Sequence, residues 1–166
     1  MPNRYKHLEK TGKYSGRVLA ARNIRTELKR AFPAVKFSVR SDSFSMGNSV
    51  DISWTDGPTS KQVEAITNKY ESGTFDGMTD CYNYEGTPFK DVFGESKYVQ
   101  QSRQISEKGF NKIVLALVEE YGIKDLPTWE EYSHGHANGT PFTYSDAYGR
   151  DSWQSLVNRK LSEVSL

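Results

Sequence analysis

Cysteine is almost missing from this chain: Cys81 is the single one in 166 residues. One thiol excludes an internal disulfide and cannot build a thiolate metal cage. The reducing cytoplasm is therefore the expected compartment, and a small buried side chain is the ordinary use of Cys81. Long apolar runs are missing as well, and the opening Met1-Pro2-Asn3-Arg4-Tyr5-Lys6 has no apolar stretch of the kind a secretory signal needs. A protein neither exported nor embedded in a membrane is expected. No internal repeat or low-complexity tract occurs, and Gly-x-Ser-x-Gly, His-Glu-x-x-His, Walker and dinucleotide-binding fingerprints are all absent. Any catalysis would have to come from dispersed residues, so a binding protein without a cofactor is expected rather than an enzyme.

What is present argues for a folded domain. At 18.9 kDa the chain is long enough to bury one core, and ten tyrosines, eight phenylalanines and three tryptophans place it far from the aromatic-poor composition of disorder. A formal net charge of +1 hides a gradient: residues 1–40 sum to +9, residues 41–100 to −6, and the remainder to −2. Such asymmetry suits a polyanionic partner or a dipolar surface that steers association.

Periodicity predicts the elements. Residues 1–14 are polar and basic and read as a flexible arm. Ser15 can cap a helix to about Ala31, with Val18, Ala21, Ile24, Leu28, Ala31 and Phe32 on one side and Pro33 closing it. Val35, Phe37 and Val39 alternate with polar residues, as do Val50, Ile52 and Trp54, so two strands joined by a polar turn over Ser41 to Asn48 should form an antiparallel hairpin. Thr59 and Gln62 have capping-box spacing ahead of a helix whose stripe is Val63, Ile66 and Tyr70. Thr74 to Ser96 reads as irregular, and Lys97 to Ile105 as a third strand. From Ser106 the pattern is helical: Phe110, Ile113, Val114, Leu117, Val118 and Tyr121 precede a terminating Gly122. Thr128 and Glu131 form a second capping box, and Asp151 with Gln154 opens a last helix bearing Trp153, Leu156, Val157, Leu161 and Val164. The expected fold is α+β, a two-layer α-β-β-α-β core with a small antiparallel sheet over residues 15–105, with a helical extension over 106–166 packed on it.

The first helix carries the main candidate site. Arg22, Arg25 and Lys29 fall within about 60° on its wheel, with Arg30 further round. Such a row can meet successive phosphates, and Lys36 and Arg40 on the polar face of the first strand can extend it. A solvated face, or pairing with the acidic middle segment, is the plainer use of the same charges. A second candidate is the acidic, aromatic segment with Asp76, Asp80, Tyr82 and Tyr84, together with Phe44 at the hairpin tip, as a surface for a protein partner. Asp76, Asp80, Glu85 and Asp91 lack the ordered ligand series of a calcium loop. His134 and His136 can share an ion only if Glu130, Glu131 or Asp146 folds near. Thr55-Asp56-Gly57-Pro58-Thr59 is too poor in glycine for a phosphate loop and reads as a turn before a capped helix.

Several segments, taken as a set, have a familiar order: Ile24-Arg25-Thr26-Glu27-Leu28-Lys29 with Phe32-Pro33, Lys36-Phe37-Ser38-Val39-Arg40, Ser49 through Thr59, and Phe75-Asp76-Gly77-Met78-Thr79-Asp80. Over about residues 15–105 they resemble large polyvalent protein-associated domains of the twenty-ninth class, found in phages and conjugative elements. The resemblance implies a mobile-element origin and assigns no catalytic residue. In that setting the expectation is a counter-defence protein of anti-restriction or anti-CRISPR type, able to form a homo-oligomer and acting in the host cytoplasm on nucleic acid or a host defence nucleoprotein. Inhibition by docking on a defence protein and metal-dependent hydrolysis are the alternatives.

Overall fold

The computed structural model describes residues 5–14, 16–76, 78, 81–84, 86–122, 126–137 and 152–166, with backbone alone for 74–76 and 81–84. In chain order these form α1 (Gly16–Ala31), β1 (Ser38–Phe44), β2 (Gly47–Thr55), α2 (Ser60–Thr67), a 3-10 turn (Asn68–Tyr70), β3 (Gly73–Asp76), β4 (Cys81–Tyr84), α3 (Pro88–Phe93), β5 (Tyr98–Gln104), α4 (Glu107–Tyr121), α5 (Trp129–Ser133) and α6 (Trp153–Glu163). They divide into two compact units, Met1–Gln104 and Ile105–Leu166. The fold class is α+β. Among the described residues no helix is long and apolar enough to cross a membrane.

In the first unit β1, β2 and β5 form one sheet in that order. β1 pairs antiparallel with β2, from Ser38↔Ser53 to Phe44↔Gly47. β5 joins parallel to β2, from Ser49↔Tyr98 to Thr55↔Gln104, so the expected antiparallel sheet is mixed. A parallel partner requires a long crossover, and the α2-to-α3 stretch supplies it. The hairpin turn is also tighter than predicted: Ser41–Phe44 and Gly47–Asn48 stay in the ladder, leaving Ser45 and Met46 as the turn. Polar side chains on a solvent-facing strand do not stop its backbone from pairing, which is why apolar alternation underestimated the strand length.

α1 packs on β1, β2, α2 and α3. Ala21, Ile24 and Leu28 are buried as expected, but Leu19, Ala20 and Asn23 are buried too, while Ala31 is exposed. The buried sector is wider and rotated because neighbours cover a second side of the helix. One is α3, where Gly94 has φ +86° and a Cβ there would lie 2.4 Å from the Gly16 carbonyl oxygen and 2.7 Å from the Ala20 nitrogen. The other is the segment expected to be a flexible arm. Tyr5 packs on Phe89 and Phe93, Leu8 is buried, and the Thr11 N–H donates to the Val92 carbonyl at 2.7 Å. Asn23 locks it down: its side-chain oxygen accepts from the Glu9 N–H, and its amide donates to the carbonyls of Glu9 and Phe93, all at 2.8 Å. The core is completed by Val39, Val50, Ile52, Trp54, Val63 and Tyr70, each large side chain contributing roughly 1.5–3 kcal/mol by burial. The cap expected of Ser15 lies outside the described residues.

Thr74 to Ser96, expected to be irregular, holds the β3–β4 hairpin, from Gly73↔Tyr84 to Asp76↔Cys81, and the helix α3. Thr87 caps α3 and Pro88 occupies its first turn. That cap-and-proline pair is a helix start in its own right, masked here by the short helix that follows. The predicted capping box of Thr59 and Gln62 opens α2.

The second unit is helical. Phe110, Ile113, Val114 and Leu117 of α4 share a core with Tyr132, Ala137, Trp153, Leu156 and Val157. Ser106 caps α4, and Gly122, at φ +67°, ends it in the left-handed conformation that spares glycine a side-chain clash. Thr128 and Glu131 form the second box. α6 is capped by Ser152, which accepts from the Ser155 N–H; the cap expected of Asp151 lies outside the described residues.

Candidate nucleic-acid interface

Five of the six cations expected to form one surface are divided among three places, and Lys29 lies outside all of them. Arg22 is committed elsewhere: its guanidinium grips both carboxylate oxygens of Glu9, with contacts of 2.7 to 3.0 Å, and lies 4.5 Å from the centre of the Tyr14 ring. That hydrogen bond holds the Glu9 carboxyl below its usual range and raises the Arg22 guanidinium. A fork engaged at both prongs has little left for a phosphate.

Arg30 lines a different cleft, of about 450 Å³, with Tyr5, His7, Glu27 and Lys69. At its floor Glu27 accepts from Lys69 Nζ and from the Tyr70 hydroxyl, each at 2.7 Å, and His7 Nε2 stands 3.8 Å away. Burial, followed by the Glu27 carboxylate, drives the Tyr70 phenol well above its ordinary range. This cluster holds α1, the 3-10 turn and the N-terminal segment together. Sequence spacing carried no sign of it, because its members lie far apart along the chain.

The third place keeps the charge available. Arg25, Lys36 and Arg40 line a single groove of about 780 Å³, floored by Phe37, Val39 and Trp54 and edged by Ser38, Ser53, Thr55 and Gln104. Among the described residues no carboxylate lines it. Alternation explains the assembly: Ser38 and Arg40 stand on the face of β1 opposite buried Val39, while Arg25 reaches in from α1 and donates to the Val39 carbonyl at 2.5 Å. One of the five guanidinium donors is thereby used and the others stay open. Among the described residues neither Lys36 nor Arg40 meets a carboxylate at ion-pair distance, and Lys29 is exposed and equally unpaired.

Phe44, expected at the hairpin tip near Arg40 and Met46, lies at the end of β1, 48% exposed, with its ring stacked on Tyr98 at 6.3 Å and 16°. Tyr98 was not foreseen, since only the parallel docking of β5 brings it across β2. Asp76, Tyr82 and Tyr84 belong to β3 and β4, where the backbone pairs Asp76 with Cys81 and Phe75 with Tyr82. Asp80, Glu85 and Asp146 lie outside the described residues. His134 and His136 have ring centres 6.2 Å apart, and His134 Nδ1 contacts the Glu130 carbonyl oxygen. Among the described residues no group of three histidines, cysteines or carboxylates is placed to hold a metal ion. In the turn after β2, Arg103 donates to the carbonyls of Asp56 and Gly57, and Thr59 is spent on capping α2. Trp54 is core, its indole N–H donating to the Pro58 carbonyl.

The first unit is thus an α+β module with helices on one face of a mixed sheet and a cationic groove at the sheet's β1 border. The chain belongs to the family of large polyvalent protein associated domain 29, whose family model matches residues 16–106. Membership associates it with phage and mobile-element proteins. No curated protein and no solved structure matches it.

Proposed function

We propose that this chain is a phage or mobile-element protein that binds nucleic acid, free or within a host defence nucleoprotein, through the groove of Arg25, Lys36 and Arg40, and that it serves counter-defence. One observation carries the binding reading: Arg25 of α1, Lys36 of the segment before β1 and Arg40 of β1 converge on a groove lined, among the described residues, by no carboxylate. In a chain whose net charge is only +1, such segregation favours a repeating anion over solvation alone. The family's company supports the counter-defence part.

A salt titration of binding to a fluorescent oligonucleotide tests the groove. Three phosphate contacts predict a slope of log affinity against log salt of about −2 to −3. Lys36→Glu with Arg40→Glu should abolish most of it, and binding that is absent or indifferent to salt would sink the reading. Counter-defence is checked separately, by the efficiency with which DNA establishes itself in a restricting host with and without the protein. An unchanged efficiency removes that part.

A further inference from the structure

We infer that the nucleic acid is single-stranded, its phosphates following the cationic groove and its bases lying over the open face of the β1-β2-β5 sheet. The inference rests on the groove reading and goes beyond it by naming the form of the ligand. Strand alternation and register place Ser38, Arg40, Asp42 and Phe44 of β1 on this face, beside Ser49, Asp51, Ser53 and Thr55 of β2, and Tyr98, Gln100, Ser102 and Gln104 of β5. Helices α1 and α2 pack against the opposite side, where Val39, Val50, Ile52 and Trp54 are buried. Arg40, Asp42, Gln100, Ser102 and Gln104 are exposed.

The distribution of charge selects the ligand. Arg25, Lys36 and Arg40 all sit at the β1 border, whereas the β5 residues of this face are Tyr98, Gln100, Ser102 and Gln104, with no lysine or arginine among them. A duplex presents two phosphate rows, one on either side of a groove several ångströms wide. This face offers one row of cations, enough for one backbone. Beyond it a hollow of about 540 Å³ is lined by Ser38, Arg40, Ser41, Asp42, Asp51 and Ser53. Carboxylates there repel a second phosphate row but accept from base N–H groups, as a polar face for base edges should. At the far end, roughly 13 Å from Arg40 at the rise of a strand, Phe44 offers a half-exposed ring. An aromatic at the end of a cation row is how sequence-tolerant single-strand sites hold a base.

The experiment compares a fluorescent single-stranded oligonucleotide of mixed sequence with the duplex of the same sequence, by anisotropy at fixed salt on the full chain. The single strand should bind about tenfold or more tightly than the duplex. Phe44→Ala should weaken the single strand about tenfold, with Phe44→Trp restoring it, while weak duplex binding stays unchanged. Phe44 is half in solvent, so neither variant threatens the fold; Ser102→Glu, on the exposed β5 side, gives an independent loss confined to the single strand. Equal or tighter duplex binding, or indifference to both Phe44→Ala and Ser102→Glu, overturns the inference and leaves the groove reading standing. Failure to bind either probe overturns both.

Discussion

The two ends of the basic N-terminal region differ in what their charges do. Around the first half of α1, Arg22 is gripped by Glu9 and covered by Tyr14, while Asn23 ties the preceding segment to the helix. Around the second half and β1, Lys29, Lys36 and Arg40 meet no carboxylate at ion-pair distance among the described residues, and Arg25 donates to a backbone carbonyl. Similar residues at similar density thus serve as clamps in one place and as an open surface in the other. Charge counted along a chain is a supply; the fold decides how much is spent internally.

That contrast can be broken most severely at Asn23. Asn23→Ala removes three buried or part-buried hydrogen bonds and leaves the Glu9 N–H and the Glu9 and Phe93 carbonyls without their partner. A loss of about 2–3 kcal/mol is expected, read as a lower urea midpoint with faster amide exchange at Glu9 and Thr11. Retained stability with slow exchange would show that the segment is held by something else. Lys36→Glu with Arg40→Glu should leave that midpoint unchanged but cut oligonucleotide affinity by roughly one to two orders of magnitude and flatten the salt slope by about 2. Arg22→Ala is the paired control: if it weakens binding as much as the double variant, the division into clamp and surface fails.

A pH series sharpens the comparison at smaller scale. The Glu9 carboxyl is depressed by its hydrogen bond from Arg22, so its contribution is present above the ordinary carboxylate pKa and fades as pH falls through the lowered folded value. The wild type should exceed Glu9→Gln in stability at neutral pH. The gap should close in acid, and shrink in high salt because the pair is exposed. A gap that persists in acid would mean that the pairing is not its source. The smallest effect is expected at Lys29, which stands outside the groove: Lys29→Ala should change the salt slope by less than about 1, and a larger change would redraw the groove's border.

Local pattern was a good guide where one segment determines its own structure. The capping boxes of Thr59 with Gln62 and Thr128 with Glu131, the Gly122 stop and the buried Ile24, Leu28, Ile52 and Trp54 all follow from periodicity and short-range hydrogen bonding. Thr87-Pro88 was legible as well, but its helix spans only Pro88–Phe93 and offers no stripe to notice. The site was legible in composition and not in grouping: Arg25, Lys36 and Arg40 were candidates from alternation and the helical wheel, with nothing to separate them from Arg22 or Arg30.

By itself the sequence determined the type of α1, β1, β2, α2, β5, α4, α5 and α6, though not that of β3, β4 or α3, together with the family membership and the supply of positive charge near the N-terminus. Those features depend on neighbours within a few residues, where propensity, capping and periodicity act. Only the tertiary structure decided that residues 5–14 pack as a strap, that β5 enters parallel beside β2, and which cations remain uncommitted. These outcomes hinge on contacts such as Arg22 with Glu9, Lys69 with Glu27 and Phe44 with Tyr98, made between positions that only chain folding brings together.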